Sequence, residues 1–138
     1  MELSDIPYAH HTHIEQNGSF LTLSLQPDAL NHIGTLHAGA LYTLAETASG
    51  FYLASRFADE ADTLLPLLRN ANVKYRHPAT TTVHAVATVE PESIEHFTLA
   101  LNKRGRASIS IHVKVKDEAD TLCMQGTFDW FIQKRATS

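Results

Sequence analysis

Two side chains suited to acid–base chemistry, His37 and Glu46, stand between Gly34 and Ser55 in a run that is otherwise apolar, small or neutral. A lone carboxylate there is costly to desolvate unless paired, and such groups often mark functional sites. Screening from bulk water also raises its pKa and makes it a stronger base. The start of a helix supplies unpaired N–H donors and a positive dipole end, suited to a developing oxyanion. Two readings of Glu46 stand at this level: a working base, or a structural carboxylate hydrogen-bonded to Tyr42, Ser49 or a strand residue.

The element that must position them is a helix. From about residue 36 to 56, Ala40, Leu41, Leu44, Ala48, Phe51 and Tyr52 recur at helical spacing and form one apolar stripe. At about 100° per residue, Glu46 falls on the opposite side with Gly39, Tyr42, Thr43, Ser49, Gly50 and Leu53. That second face lacks the Lys and Glu of a surface helix. The expectation is a helix covered on both sides, by its own sheet and by something else.

Around it the period is two. Residues 20–25 alternate as a half-buried strand, and further strands are predicted over 67–76, 81–89, 94–102, 106–116 and 121–133. Alternation is cleanest where Ile109, Ile111, Val113 and Val115 oppose Ser108, Ser110, His112 and Lys114. Short turns at His77-Pro78, Glu90-Pro91, Lys103-Arg104-Gly105 and Asp117-Glu118 predict hairpins and an antiparallel meander. One long helix and a run of antiparallel strands make an α+β domain, with the sheet wrapping the helix.

The 138 residues suit one domain, 1–138, and 43% hydrophobic with 19% charged residues describe an ordinary globular chain. A net charge of −4 argues against nucleic-acid binding by bulk electrostatics. The one cysteine, Cys123, excludes an internal disulfide and reads as inert without a base beside it. No apolar run approaches the roughly 20 residues of a membrane span, and the first residues show no secretory signal, so the expected compartment is the cytosol. His10, His11 and His13 read as a polar N-terminal segment, with no metal site expected. His84, His96 and His112 read as outward-facing strand positions. No Gly-x-Ser-x-Gly elbow, phosphate-binding loop or His-Glu-x-x-His motif occurs, which disfavours a serine hydrolase.

The segment Asn31-x-x-Gly34-x-x-His37-Ala38-Gly39, with Glu46 seven residues after Gly39, resembles the signature of hotdog-fold acyl-CoA thioesterases. It is most similar to the PaaI-like and hydroxybenzoyl-CoA thioesterase group, whose pattern is Asn-x-x-Gly-x-x-His-Gly-Gly followed by a catalytic Asp or Glu. The strand end Tyr75-Arg76-His77-Pro78 and the Gly105-Arg106 strand opening fit more loosely. The resemblance implies a hotdog fold, an antiparallel sheet wrapped around one long central helix. It implies a dimer, or a tetramer of dimers, with sites between subunits, a thioester substrate carried by coenzyme A, and no other cofactor.

Residue by residue, it makes Glu46 the general base or nucleophile. Asn31 would hold the reacting water or the thioester oxygen, the backbone amides of Ala38 and Gly39 would polarise the carbonyl, and His37 would orient the loop or touch substrate. Ala38 departs from the pattern: it keeps the N–H and adds a Cβ, which implies a tighter acyl slot. Bland readings stand beside these, Asn31 as a turn residue and His37 as a packed histidine of the first helical turn. Thr47 could fix a water near Glu46. Arg76, Arg104 and Arg106, with Lys74 and Lys103, form a basic set suited to coenzyme A phosphates, or a solvated hairpin turn. Two rival functions share the scaffold. One is a non-catalytic acyl-CoA or fatty-acyl binding protein; the other is a hydratase, which the roughly 180° between His37 and Glu46 disfavours.

Overall fold

A computed structural model describes residues 2–135. Its elements are α1 (Pro7–His11), β1 (Glu15–Asn17), β2 (Phe20–Leu23), α2 (Ala38–Arg56), β3 (Leu64–Tyr75), β4 (Val83–Thr88), α3 (Pro91–Arg104), β5 (Arg106–Lys116) and β6 (Leu122–Lys134). The strands form one sheet in the order β1-β2-β4-β5-β6-β3, with every neighbouring pair antiparallel. The sheet curls round α2, which touches β2, β3, β4, β5 and β6. Among the described residues no helix is long and apolar enough to cross a membrane.

Period-two patterning makes the core. Ile109, Ile111, Val113 and Val115 of β5 are buried while Ser108, Ser110, His112 and Lys114 are exposed, as the alternation predicts. Phe128, Trp130 and Ile132 of β6 join them, against Leu41, Leu44, Ala45 and Ala48 of α2. Burying such side chains is worth roughly 1.5–3 kcal/mol each, so the concave face of the sheet and one face of α2 hold each other. The division of α2 differs from its helical wheel at four positions. Ser49 and Leu53, expected on the second face, are buried, while Phe51 and Tyr52 are half-buried. The sheet wraps more of the helix than a flat support would.

The largest correction is residues 94–102, which form most of helix α3 and not a strand. Over so short a window Ile94, Phe97 and Leu101 fit either period. Leu99 decides the matter: a strand would bury it with Phe97 and Leu101, yet it is 70% exposed while they are 2% and 1%. Pro91 opens the helix at its first turn, where its missing N–H costs nothing. Gly105 closes it at φ 74°, so Lys103-Arg104-Gly105 is a helix end, not a hairpin turn. His96 is accordingly helical. β3 also begins earlier than predicted, at Leu64, and absorbs Pro66, which an edge strand tolerates.

Candidate active site

The loop before α2 shows what the Asn-x-x-Gly-x-x-His spacing builds. Asn31 Oδ1 accepts the N–H groups of Ile33 (3.1 Å) and Thr35 (3.0 Å), and its Nδ2 donates to Thr35 Oγ1 at 2.8 Å. Gly34 turns the chain at φ 81°, a conformation that favours glycine. His37 N–H then donates to the Ala29 carbonyl at 2.9 Å, and its Nδ1 accepts the Gly39 N–H at 2.8 Å, capping α2. Asn31 and His37 thus act locally as loop and cap residues.

Of the two amides named for the oxyanion, Gly39 is taken by its own cap. Among the described residues the Ala38 N–H has no acceptor. Ala38 borders a recess of about 290 Å³ together with Asn31, Thr35, Leu41, Tyr75, Arg76 and His77, among others. Tyr75 O–H donates to the Ala38 carbonyl at 3.1 Å and ties the end of β3 to the first turn of α2.

Two turns further along, Glu46 is half-buried and borders a different cavity, of about 560 Å³. Its walls include Thr47, Leu53, Phe57, Leu64, Trp130 and Ile132. Burial raises the carboxyl above its ordinary value of 4.5. Among the described residues it takes no hydrogen bond or ion pair, so the expected partners Tyr42 and Ser49 do not hold it. Ser49 is engaged elsewhere: it receives the Trp130 indole N–H at 2.9 Å and donates to the Glu46 backbone carbonyl at 2.7 Å. Gly50 completes the arrangement, since a Cβ there would stand 3.1 Å from the Trp130 ring.

The named residues therefore fall in four places. Glu46 and Thr47 share the large cavity. Asn31, Ala38 and Arg76 share the recess under Tyr75. His37 and Gly39 border a third hollow, of about 450 Å³, with His11, Thr43 and a His13 that pairs with Asp28 at 3.1 Å. Arg104 and Arg106 line an open groove between α3 and the sheet, apart from both Glu46 and Ala38. Ala38 and Glu46 are eight positions apart, about 12 Å along the helix axis. Within one chain they cannot grip one carbonyl.

Sequence reasoning missed Tyr75 as a tether and Trp130 and Gly50 as the supports of the Glu46 turn. One signal was available: a glycine in mid-helix costs about 1 kcal/mol against alanine and asks for a packing reason. Asp5, Ile6 and Arg135, which also border the Glu46 cavity, carried no signal because only folding brings both ends of the chain there.

Similar folds occur in solved structures. PA5026 of Pseudomonas aeruginosa, a protein of unknown function called a probable thioesterase, superposes at TM-score 0.82 with 21% identity, over 95% of this chain and 89% of its own. BH2602 of Bacillus halodurans, solved with CoA, gives TM-score 0.71 and 24% identity, over 91% and 74%. The thioesterase HI1161 of Haemophilus influenzae gives 0.73 and 17%, over 94% and 85%. At these identities the likeness shows the fold, and the fold is the hotdog. No curated protein matches the chain by sequence. One family does, over residues 8–132: the chain belongs to the family described as a domain of unknown function, DUF4442.

Proposed function

We propose that the protein hydrolyses acyl-CoA thioesters, with Glu46 as general base or nucleophile and the Ala38 N–H as oxyanion donor. The observation that carries this reading is a half-buried carboxylate with a raised pKa and no partner among the described residues, set in the wall of a mostly apolar cavity. As general base, Glu46 removes a proton from water while the water oxygen bonds to the carbonyl carbon. The resulting oxyanion is held at Ala38, the C–S bond breaks, and the thiolate takes up the proton. No cofactor is called for beyond the coenzyme A of the substrate.

A catalytic unit of two copies follows from the 12 Å gap. The carboxylate of one copy and the amide of the other would then face one carbonyl, in a dimer or a tetramer of dimers. The twelve-residue edge strand β3, with Leu65 and Leu67 exposed at 39% and 45%, is the surface for that pairing. Arg76 shares the recess with Ala38, which supports a role for it on a coenzyme A phosphate, whereas Arg104 and Arg106 line a separate groove. Support comes from the relatives of like fold, two described as thioesterases and one solved with CoA. The Asn31 to Glu46 signature supports a subgroup near the PaaI-like enzymes.

The test is release of free thiol from a panel of acyl-CoAs by wild type and Glu46→Gln. Equal rates would remove Glu46 from the mechanism. A second reading, a non-catalytic acyl-CoA binding protein, is favoured by the separation of Ala38 and Glu46 within one chain. It predicts saturable binding of the same panel with no thiol released by either protein.

A further inference from the structure

The cavity beside Glu46 is long. Its α2 wall consists of Glu46, Thr47, Gly50, Leu53, Ala54 and Phe57, spaced so that they share one side of the helix. From Glu46 to Phe57 that side runs about 16 Å at roughly 1.5 Å per residue. Across from it stand Leu64 and Pro66 of β3 and Trp130 and Ile132 of β6, with Ile6 closing over from the N-terminal segment. Apart from Thr47 and Asp5, the lining between the carboxylate and Phe57 is apolar, and the Phe57 ring is braced edge-on by Phe97 of α3 at 5.3 Å between centroids.

Beyond Phe57 the lining changes character. Arg135 N–H bonds the Thr63 carbonyl at 2.7 Å, which sets the charged residues Asp62 and Arg135 at that end of the cavity. Along it, Gly50 lets the Trp130 indole lie close on the helix. A single aromatic ring would leave most of its length empty. The shape and its polar stop fit an unbranched aliphatic chain.

Resting on the thioesterase reading, we infer that the substrate is a linear medium-chain acyl thioester, of about ten to twelve carbons. An extended chain advances about 1.3 Å per carbon with C–C bonds near 1.5 Å, so about twelve carbons span the apolar length. A longer chain drives its methyl end against Asp62 and Arg135; a shorter one leaves Phe57 and Ile132 without a partner. Ala54 lies about 12 Å from Glu46 along the helix and sets the reach of the chain together with Phe57.

The experiment measures kcat/KM for butanoyl-, hexanoyl-, octanoyl-, decanoyl-, dodecanoyl-, hexadecanoyl- and benzoyl-CoA with wild type, Ala54→Phe and Phe57→Ala. For wild type the expected value rises about two- to fourfold per added carbon up to ten or twelve, then falls. Ala54→Phe should move the optimum to six or eight carbons, and Phe57→Ala should raise the hexadecanoyl to octanoyl ratio at least fivefold. Opposite shifts of a ratio separate reach from a general loss of folding. Hydrolysis with a butanoyl or benzoyl optimum, or ratios unmoved by both variants, would overturn the chain-length inference and leave the thioesterase reading standing. If no thioester is cleaved, calorimetric binding of the same seven ligands decides: tightest binding near dodecanoyl-CoA keeps the inference while hydrolysis falls, and a flat series ends both.

Discussion

Glu46 shows how one residue links stability to chemistry. Desolvation raises its carboxyl above 4.5, so the folded protein holds that proton more tightly than the unfolded chain. Stability from this source is full below the unfolded value and is lost as pH rises through the raised folded value. Glu46→Gln should therefore be more stable than wild type at pH 7 to 8, with the difference in melting temperature shrinking toward zero below about pH 4. The same variant should lose about 10²- to 10⁴-fold in kcat, and the acidic limb of the wild-type kcat/KM profile should lie above pH 4.5. A variant no more stable at pH 8 than at pH 4, relative to wild type, would mean that the group is solvated. Ala38 offers a cleaner cut. It is the first residue of α2, where proline is well accommodated, and His37 before it is already extended at ψ 141°. Ala38→Pro deletes one N–H and little else. Thermal unfolding should move by only a few degrees, while kcat falls about 10²- to 10³-fold.

Among the elements, α2 depends on one tight approach. Trp130 of β6 lies on Gly50 and reaches Ser49, and Ser49 in turn holds the backbone carbonyl of Glu46. Gly50→Ala inserts a methyl 3.1 Å from the ring and should cost about 1–3 kcal/mol in urea unfolding. A cost near zero would show that the indole slides aside freely. α3 rests on a different device, the left-handed Gly105, and Gly105→Ala should cost about 1 kcal/mol. Both elements bear on what could be read beforehand. α2 was legible because a stripe of Ala and Leu over nineteen residues leaves no room for period two. α3 was not, because nine residues with Phe97 and Leu101 four apart satisfy both periods until burial of Leu99 is known. The signature loop was legible as a motif, yet the side chain of Asn31 bonds to Ile33 and Thr35 within the loop and that of His37 to the Gly39 N–H.

For the molecule as a whole, Glu46 and Ala38, the two groups of the proposed reaction, lie on different stretches of one helix, and the proposal has a second copy join at the edge strand β3. Sedimentation should therefore give a mass of at least twice 15.3 kDa. Inactive Glu46→Gln and inactive Ala38→Pro, unfolded together and refolded as a mixture, should regain about a quarter of wild-type activity. Half of the random dimers are mixed, and each of those restores one of two sites. Mixtures as dead as their parents would place both groups in one protomer, against the 12 Å separation.

Sequence alone determined what local patterning encodes: the long small-residue helix with its single carboxylate, the alternating strands, and the glycine and asparagine that shape the loop into the helix. These follow from periodicity and from backbone sterics within a few residues. Only the tertiary structure decided that residues 94–102 are helical, that Gly39 is occupied and Ala38 open, that Trp130 braces the Glu46 turn, and that Ile6 and Arg135 border the same cavity. Each of those depends on which distant side chains share a space, and the free energy of burial is settled between segments that no local window contains.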